Sequence, residues 1–206
     1  MSIVFYYSPM SSATRIHWAL EELKIPYEKV KVDTKAGDQR KPAYLKINPN
    51  GKVPALVDGG VPMFESLAML IHLGETYGVE NNLWPAVGTP ERLQALSWTT
   101  WGTVTFATAV FQVIMNTAER FPAEAKNAAQ AETAKVAVGS LLQILNAQLE
   151  GRSYLLGPDF TLVDVANASM IAFTMRAGID LAPYPNVTAW FARSTQRPAM
   201  AVAAAG

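Results

Sequence analysis

The sequence contains no cysteine. Disulfides, thiolate metal sites and a protein-borne thiol nucleophile are therefore excluded, and any thiol chemistry must use a thiol brought by a ligand. Neither sign of charge is in excess: 17 Lys plus Arg stand against 17 Asp plus Glu, which is not the basic footprint of a nucleic-acid binder. There are only two histidines, His17 and His72. They lie far apart, each reads as a packing or surface residue, and no metal-ligand cluster is expected. A long unbroken apolar run is also missing. Leu93–Met115 carries no charge, and a spanning helix needs about 20 mostly apolar residues. Five threonines, Ser97, Gly102 and two glutamines interrupt it, so it reads as a buried helix. The opening MSIVFYYSP lacks the basic stretch and apolar core of a secretory signal. The expectation is a cytoplasmic protein with no metal, nucleic-acid or membrane partner.

Half of the 206 residues are hydrophobic and 17% are charged, which suits a packed core. The first part alternates strand-like and helical runs. Ile3–Tyr7 reads as a strand and Thr14–Leu23 as a helix with Ile16, Ala19, Leu20 and Leu23 on one face. Tyr27–Val32 alternates as a strand does, and Lys41–Ile47 reads as a short helix. Asn48-Pro49-Asn50-Gly51 is a turn. Val53–Val57 and Val61–Phe64 form a hairpin about Asp58-Gly59-Gly60, and Ser66 can cap the helix that follows. A right-handed strand-helix-strand crossover gives a parallel pair and the hairpin an antiparallel one, hence a four-stranded mixed sheet. After Gly78 strand signals stop. Thr89-Pro90 opens a helical region with stretches Glu91–Ala118, Ala123–Leu149, Leu162–Ala177 and Asn186–Gln196. The tail Ala199–Gly206 is small and apolar and is expected to fray or pack loosely. The domains are therefore residues 1–78 (α/β), a linker 79–88, and residues 89–206 (all-α, a helical bundle).

Several residue groups could carry chemistry. Val53-Pro54 stands at the entry to the third strand, where a cis bond would turn the Val53 backbone outward to pair with an extended peptide; an ordinary trans proline is the simpler reading. Glu65-Ser66 lies where a strand gives way to a helix. Free amides and the positive dipole end suit a carboxylate there, with Ser66 adding a hydroxyl and Glu65 a charge for an ammonium; a plain serine cap is the alternative. Ser8, Ser11 and Ser12 occupy the loop before the first helix, and no His–Asp partner for a serine nucleophile is apparent. Trp98, Trp101, Phe106 and Phe111 read first as helical core, some of them able to wall an apolar pocket. Phe160-Thr161-Leu162-Val163-Asp164-Val165 is a capping box with a hydrophobic staple, which makes Asp164 structural rather than catalytic.

Taken in order, the strings YYSPMSSATRIHWALEELKIPYE, INPNGKVPALVDGG, MFESLAMLIHL and FTLVDVANA resemble the glutathione S-transferase family over nearly the whole chain. The resemblance implies a thioredoxin-like domain followed by a helical one, usually in a homodimer that serves detoxification. It implies a cis Pro54, pairing of Val53 with the cysteinyl backbone of glutathione, and Glu65 and Ser66 at its γ-glutamyl end. Lys52, together with Lys35 or Arg40, would lie near the glycyl carboxylate. The catalytic hydroxyl is open. Counting from His17-Trp18-Ala19-Leu20 puts Ser12 where beta-like members carry a cysteine, whereas the double-serine pattern of zeta-like members favours Ser11; Tyr6 and Tyr7 come after both. Glutathione would be the co-substrate and a small hydrophobic electrophile its partner. The missing cysteine argues against the disulfide-exchanging branches, and the competing readings are a non-catalytic binding or scaffold protein on the same fold, or a glutathione-dependent isomerase, dehalogenase or peroxidase.

Overall fold

Alternation in Ile3–Tyr7 puts Ile3, Phe5 and Tyr7 on one buried face of a strand and Val4 and Tyr6 on the other. In the computed structural model, which describes residues 2–205, this strand (β1) is central. β2 (Tyr27–Lys31) runs parallel to it on one side, β3 (Ala55–Asp58) antiparallel on the other, and β4 (Val61–Met63) continues from β3. The order β2-β1-β3-β4 is the expected four-stranded mixed sheet. Two helices contribute to its main core, α1 (Ala13–Leu23) and α3 (Ser66–Leu73). Ile16, Trp18, Leu20, Leu56, Met69, Leu70 and Leu73 are fully buried with Phe5; each such side chain contributes about 1.5–3 kcal/mol. On the other face Tyr6, Ile47 and Val53 pack on Val32, Tyr44 and Ala55. Tyr44 belongs to the short α2 (Pro42–Leu45).

Two compact units divide the chain. One takes in the chain up to Arg92 together with the segment from Gln196; the other is Leu93–Thr195. In the first, α3 runs on into a π-helical turn, Gly74–Gly78. Trp84 is buried against that turn, and a methyl group at Gly74 would meet its indole at 2.4 Å. The tail differs from its expectation. Residues Pro198–Ala205 form a helix, α9, packed on α1. Arg197 donates two hydrogen bonds to Glu22 (2.7 and 2.6 Å), and the Trp18 indole donates to the same carboxylate (3.0 Å). A run of small apolar residues has low intrinsic specificity; here a part-buried ion pair just before it sets its place. His17 is buried among the rings of Phe5, Tyr7 and Tyr27, and burial, then the charge of Lys29, push its pKa down.

Asp58 ties the hairpin to α3. Its Oδ2 accepts from the Tyr77 hydroxyl (2.7 Å) and lies 2.8 Å from His72 Nε2. Burial alone would raise this carboxyl, but the His72 and Tyr77 hydrogen bonds outweigh it and hold it below its ordinary value. The contribution to stability is thus complete above the unfolded pKa, about 3.9. It is lost as pH falls through the lower folded value. Asp58→Asn should flatten the acid limb of a urea-denaturation series below about pH 4; a limb as steep as wild type would assign the acid sensitivity elsewhere.

The second unit is helical. α4 (Pro90–Thr100) continues through a π-helical stretch, Trp101–Phe106, into α5 (Ala107–Thr117). At the widening Asn167 Nδ2 donates to the Trp98 carbonyl (3.1 Å), and Gly102 leaves room for that amide, since a Cβ there would lie 2.3 Å from Asn167 Oδ1. α6 (Ala128–Gln148) begins later than the sequence pattern indicates, because Asn127 caps it by accepting from the Gln130 amide (3.1 Å). α7 (Leu162–Arg176) is buried along most of its length, as its apolar run from Leu162 requires, and α8 (Pro185–Thr195) packs on it. Of the four aromatics expected in the core, Phe106 is fully buried. Trp98 and Trp101 are half-buried and Phe111 is exposed against Phe173. The helical period alone does not say which part of a wide apolar stripe a neighbour covers. None of the described helices is long and apolar enough to cross a membrane.

The capping box at the start of α7 is present. Asp164 is completely buried and accepts four hydrogen bonds. The Thr161 amide (2.9 Å) and hydroxyl (3.1 Å) meet one oxygen, and the Leu155 amide (3.0 Å) and Trp190 indole (2.8 Å) meet the other. Burial pushes this carboxyl above its ordinary pKa, against the pull of its donors.

Candidate functional site

Strand register brings the distant sequence candidates to one end of the sheet. Leu56 is opposite Met63 in the β3–β4 pair; continued two residues past the paired ladder, the same register leads to Pro54 on one side and Glu65 on the other. Tyr6 is opposite Ala55 in the β1–β3 pair, so continuing past β1 leads to Ser8 and Val53 together. The carboxyl end of β1, the entry to β3 and the start of α3 therefore meet at one edge. In open α/β sheets that is where ligands bind.

The Val53–Pro54 bond is cis. Pro54 is buried and Val53 half-buried, just before β3 rather than within it. The approach is pinned by residues that sequence reasoning did not single out. The Tyr44 hydroxyl (2.6 Å) and Asn48 Nδ2 (2.7 Å) both donate to the Lys52 carbonyl, and Asn48 Oδ1 takes the Asn50 amide (3.0 Å). Burial raises the Tyr44 phenol to about 12, so it stays a donor at neutral pH. The Asn-Pro-Asn-Gly turn was the only sequence signal for Asn48.

The serines of the β1–α1 loop differ in their partners. Ser11 donates to the Ser8 carbonyl (2.7 Å) and accepts from the Ala13 amide (3.1 Å), which closes the loop on itself. Ser8 lies 3.3 Å from the Thr34 hydroxyl. Ser12 stands at the N-cap of α1 without capping it and donates across the site to the Val53 carbonyl at 3.3 Å. A long hydrogen bond is the weaker one, so the Ser12 proton is the easier to redirect. Tyr7 is buried under a layer of rings, with Phe5 stacked at 5.7 Å. Tyr6 faces Tyr44, its ring 5.9 Å away.

At the third strand-helix junction the structure corrects one expectation. Ser66 is not the cap of α3 but its first residue; Glu65 occupies the cap position with φ +70° and makes no side-chain capping bond. The Ser66 hydroxyl and the Glu65 carboxylate have no partner among the described residues, and the Glu65 side chain is exposed. Among the described residues four non-glycine residues have positive φ: Met10, Lys24, Glu65 and Asn82. Lys24 closes α1 and asparagine tolerates this region. Met10 and Glu65 have neither excuse, and both flank this edge of the sheet. Such residues cost about 1–3 kcal/mol each and cluster at functional sites. Lys52, Lys35 and Arg40 are exposed and form no ion pair among the described residues, whereas Lys41 is held by Asp38 at 2.7 Å.

The edge thus offers a cis Val53–Pro54 bond, a hydroxyl and a carboxylate beside a helix start and cations, all without partners among the described residues, and a redirectable Ser12 hydroxyl. Comparison with known proteins bears on what it holds. The family model for the glutathione S-transferase N-terminal domain matches residues 1–75 and that for the C-terminal domain residues 103–198. The disulfide-bond oxidoreductase YfcG of Escherichia coli K12 is 34% identical over 96% of this chain and 92% of its own. The glutathione S-transferase GstB of the same organism is 29% identical over 92% and 91%. A sphingomonad glutathione S-transferase solved in complex with glutathione superposes with a TM-score of 0.85 at 29% identity, covering 98% of this chain and 97% of that one.

Proposed function

Because the chain belongs to the glutathione S-transferase family, we propose that it is a glutathione transferase that binds the tripeptide along this sheet edge and conjugates its thiolate to small hydrophobic electrophiles. The observation that supports the reading is the Ser12 hydrogen bond to the Val53 carbonyl, which joins the β1–α1 loop to the cis-proline turn at the entry to β3. The Val53 backbone pairs with the cysteinyl residue. The γ-glutamyl carboxylate takes the α3 amides and the Ser66 hydroxyl, and its ammonium takes Glu65. Lys52, with Lys35 or Arg40, faces the glycyl carboxylate.

A free thiol has a pKa near 8.5, so only a few per cent is thiolate at neutral pH. The Ser12 hydroxyl turns from the Val53 carbonyl to donate to sulfur, which favours the anion. Sulfur then attacks the electrophilic carbon, a carbon–sulfur bond forms, the leaving group departs with its electron pair, and the thiol proton has already gone to solvent. Ser12 donates and does not attack. Retention on a glutathione matrix and turnover of chlorodinitrobenzene test the reading; no glutathione binding at millimolar concentration would overturn it. The same reading carries a cytoplasmic homodimer, which a single-chain mass by sedimentation equilibrium would remove.

The 34% identity to a disulfide-bond oxidoreductase favours a second reaction at the same site. The chain has no thiol of its own, so two glutathiones are needed. One thiolate attacks a disulfide and releases a thiolate; a second attacks the mixed disulfide, giving oxidised glutathione and the second reduced thiol. Activity on hydroxyethyl disulfide without activity on any electrophile would make this the main reaction.

A further inference from the structure

The sequence shows no His–Asp partner for the loop serines, yet the folded chain builds such a pair elsewhere, with a hydroxyl in line. Asp58 Oδ2 lies 2.8 Å from His72 Nε2, and the Thr76 hydroxyl lies 3.3 Å from His72 Nδ1. A carboxylate can only accept, so Nε2 carries the ring proton, Nδ1 offers a lone pair, and Thr76 donates to it. The Tyr77 hydroxyl holds the same Asp58 oxygen at 2.7 Å, and its ring stands edge-on to His72 at 6.2 Å. Burial falls outward along the row: the Asp58 side chain is 8% exposed, His72 is 31% exposed, and Thr76 is on the surface. Ser97, Thr103, Thr117, Thr133, Ser140 and Thr174 each donate to the carbonyl four residues back, the ordinary habit of a helical hydroxyl. Thr76 turns to a ring instead. It sits in the π-helical turn Gly74–Gly78, and such turns recur at functional sites. The row is separate from the sheet-edge site: Asp58 ends β3 where Pro54 precedes it, and Thr76 follows α3 where Ser66 begins it.

We propose that Thr76 is an acyl-acceptor site for aryl esters, with His72 as the general base and Asp58 as the residue that positions its ring. Hydroxyl, imidazole and carboxylate in this order turn a hydroxyl into a nucleophile, whatever fold carries them. The Thr76 oxygen attacks the ester carbonyl as its proton passes to His72 Nδ1. The carbon–oxygen bond to the aryl group then breaks. The phenol departs with the electron pair and the proton from His72, and the acyl group stays on Thr76 as a new ester. Nothing is oxidised or reduced. An exposed hydroxyl selects for a reactive carbonyl rather than for the outline of the acyl group, and a phenolate leaves readily; aryl esters meet both conditions. The step uses no glutathione and does not rest on the transferase reading.

The test is acetylation of the full chain by p-nitrophenyl acetate, without glutathione, followed by peptide mass mapping. Wild type should carry an acetyl group on Thr76 and release a matching burst of p-nitrophenolate. Thr76→Ser should keep both, and Thr76→Val should lose both. Valine replaces an exposed threonine with the same shape, so the thermal midpoint of that variant should stay near wild type. His72→Gln should slow acetylation of Thr76 by roughly 100-fold or more, the scale of a lost general base. Asp58→Asn should slow it too and move the ring proton from Nε2 to Nδ1, read from the nitrogen NMR shifts of His72; unchanged shifts would strike Asp58 from the assignment. Thr133 is the internal control, an exposed helical threonine whose proton goes to the Ala129 carbonyl. Acetylation of Thr133 at the rate of Thr76 overturns the proposal. So does a burst that survives in Thr76→Val, because His72 would then take the acyl group itself. An unmodified Thr76 in wild type also overturns it, and leaves the transferase reading untouched.

Discussion

Asp164→Ala should destabilise the protein by about 3–5 kcal/mol, because it strips the acceptor from several buried neutral donors at once. Its two oxygens accept from the Leu155 amide, the Trp190 indole, and the Thr161 amide and hydroxyl, all in a completely buried setting. Alanine leaves the two amides and the indole without an acceptor, and each buried orphan costs about 1–3 kcal/mol. Against a total stability of about 5–15 kcal/mol, that is enough to shift a urea midpoint widely or to prevent accumulation of folded protein. Asp164→Asn keeps one acceptor oxygen and turns an NH2 group toward donors, so it should lose about half as much and remain measurable if the alanine variant does not fold. A loss below about 1 kcal/mol for both would mean that water replaces the carboxylate. The kinetic constants of folded Asp164→Asn should stay near wild type, because the carboxylate anchors the loop before α7 and the Trp190 side chain of α8 and has no part in the sheet-edge site.

Ser12→Ala should lower kcat/KM for conjugation by roughly 10- to 150-fold, equivalent to about 1.5–3 kcal/mol for a hydrogen bond to a charged group. The pKa of bound glutathione, followed by thiolate absorbance in the ultraviolet, should rise by about 1–2 units in parallel. The two readouts belong together: a rate loss without a thiol shift would place Ser12 in binding or loop geometry instead. Ser11→Ala is the control. Ser11 spends its proton on the Ser8 carbonyl and its lone pair on the Ala13 amide, so its loss should cost about 1 kcal/mol of stability and leave the thiol pKa in place. If Ser11→Ala raised the thiol pKa and Ser12→Ala did not, the roles would be reversed.

Much of the fold was legible because it is local chemistry. Alternation marks β1, the 3.6-residue period marks α1, Asp58-Gly59-Gly60 marks the hairpin, and the threonine and aspartate spaced three apart mark the start of α7. Each depends on backbone preferences and neighbours within one turn. Val53-Pro54 and Glu65-Ser66 were visible as strings of this kind, and the order of the strings pointed to the family. Their meeting at one edge was not visible, because it follows from the register of three strands. The choice between Ser11 and Ser12 was open for the same reason: both are loop serines, and they differ through a carbonyl 41 residues away. The strain at Met10 and Glu65 is a property of backbone angles that no residue name records. The tail was misjudged because its own residues say little; Glu22 and Arg197, 175 residues apart, place it. By itself the sequence determined the elements, the family and a short set of candidate residues. The tertiary structure decided the partners of those residues, Ser12 on the distant Val53 carbonyl and Ser11 within its own loop, since hydrogen bonds and strand pairs between distant residues exist only once the chain has folded.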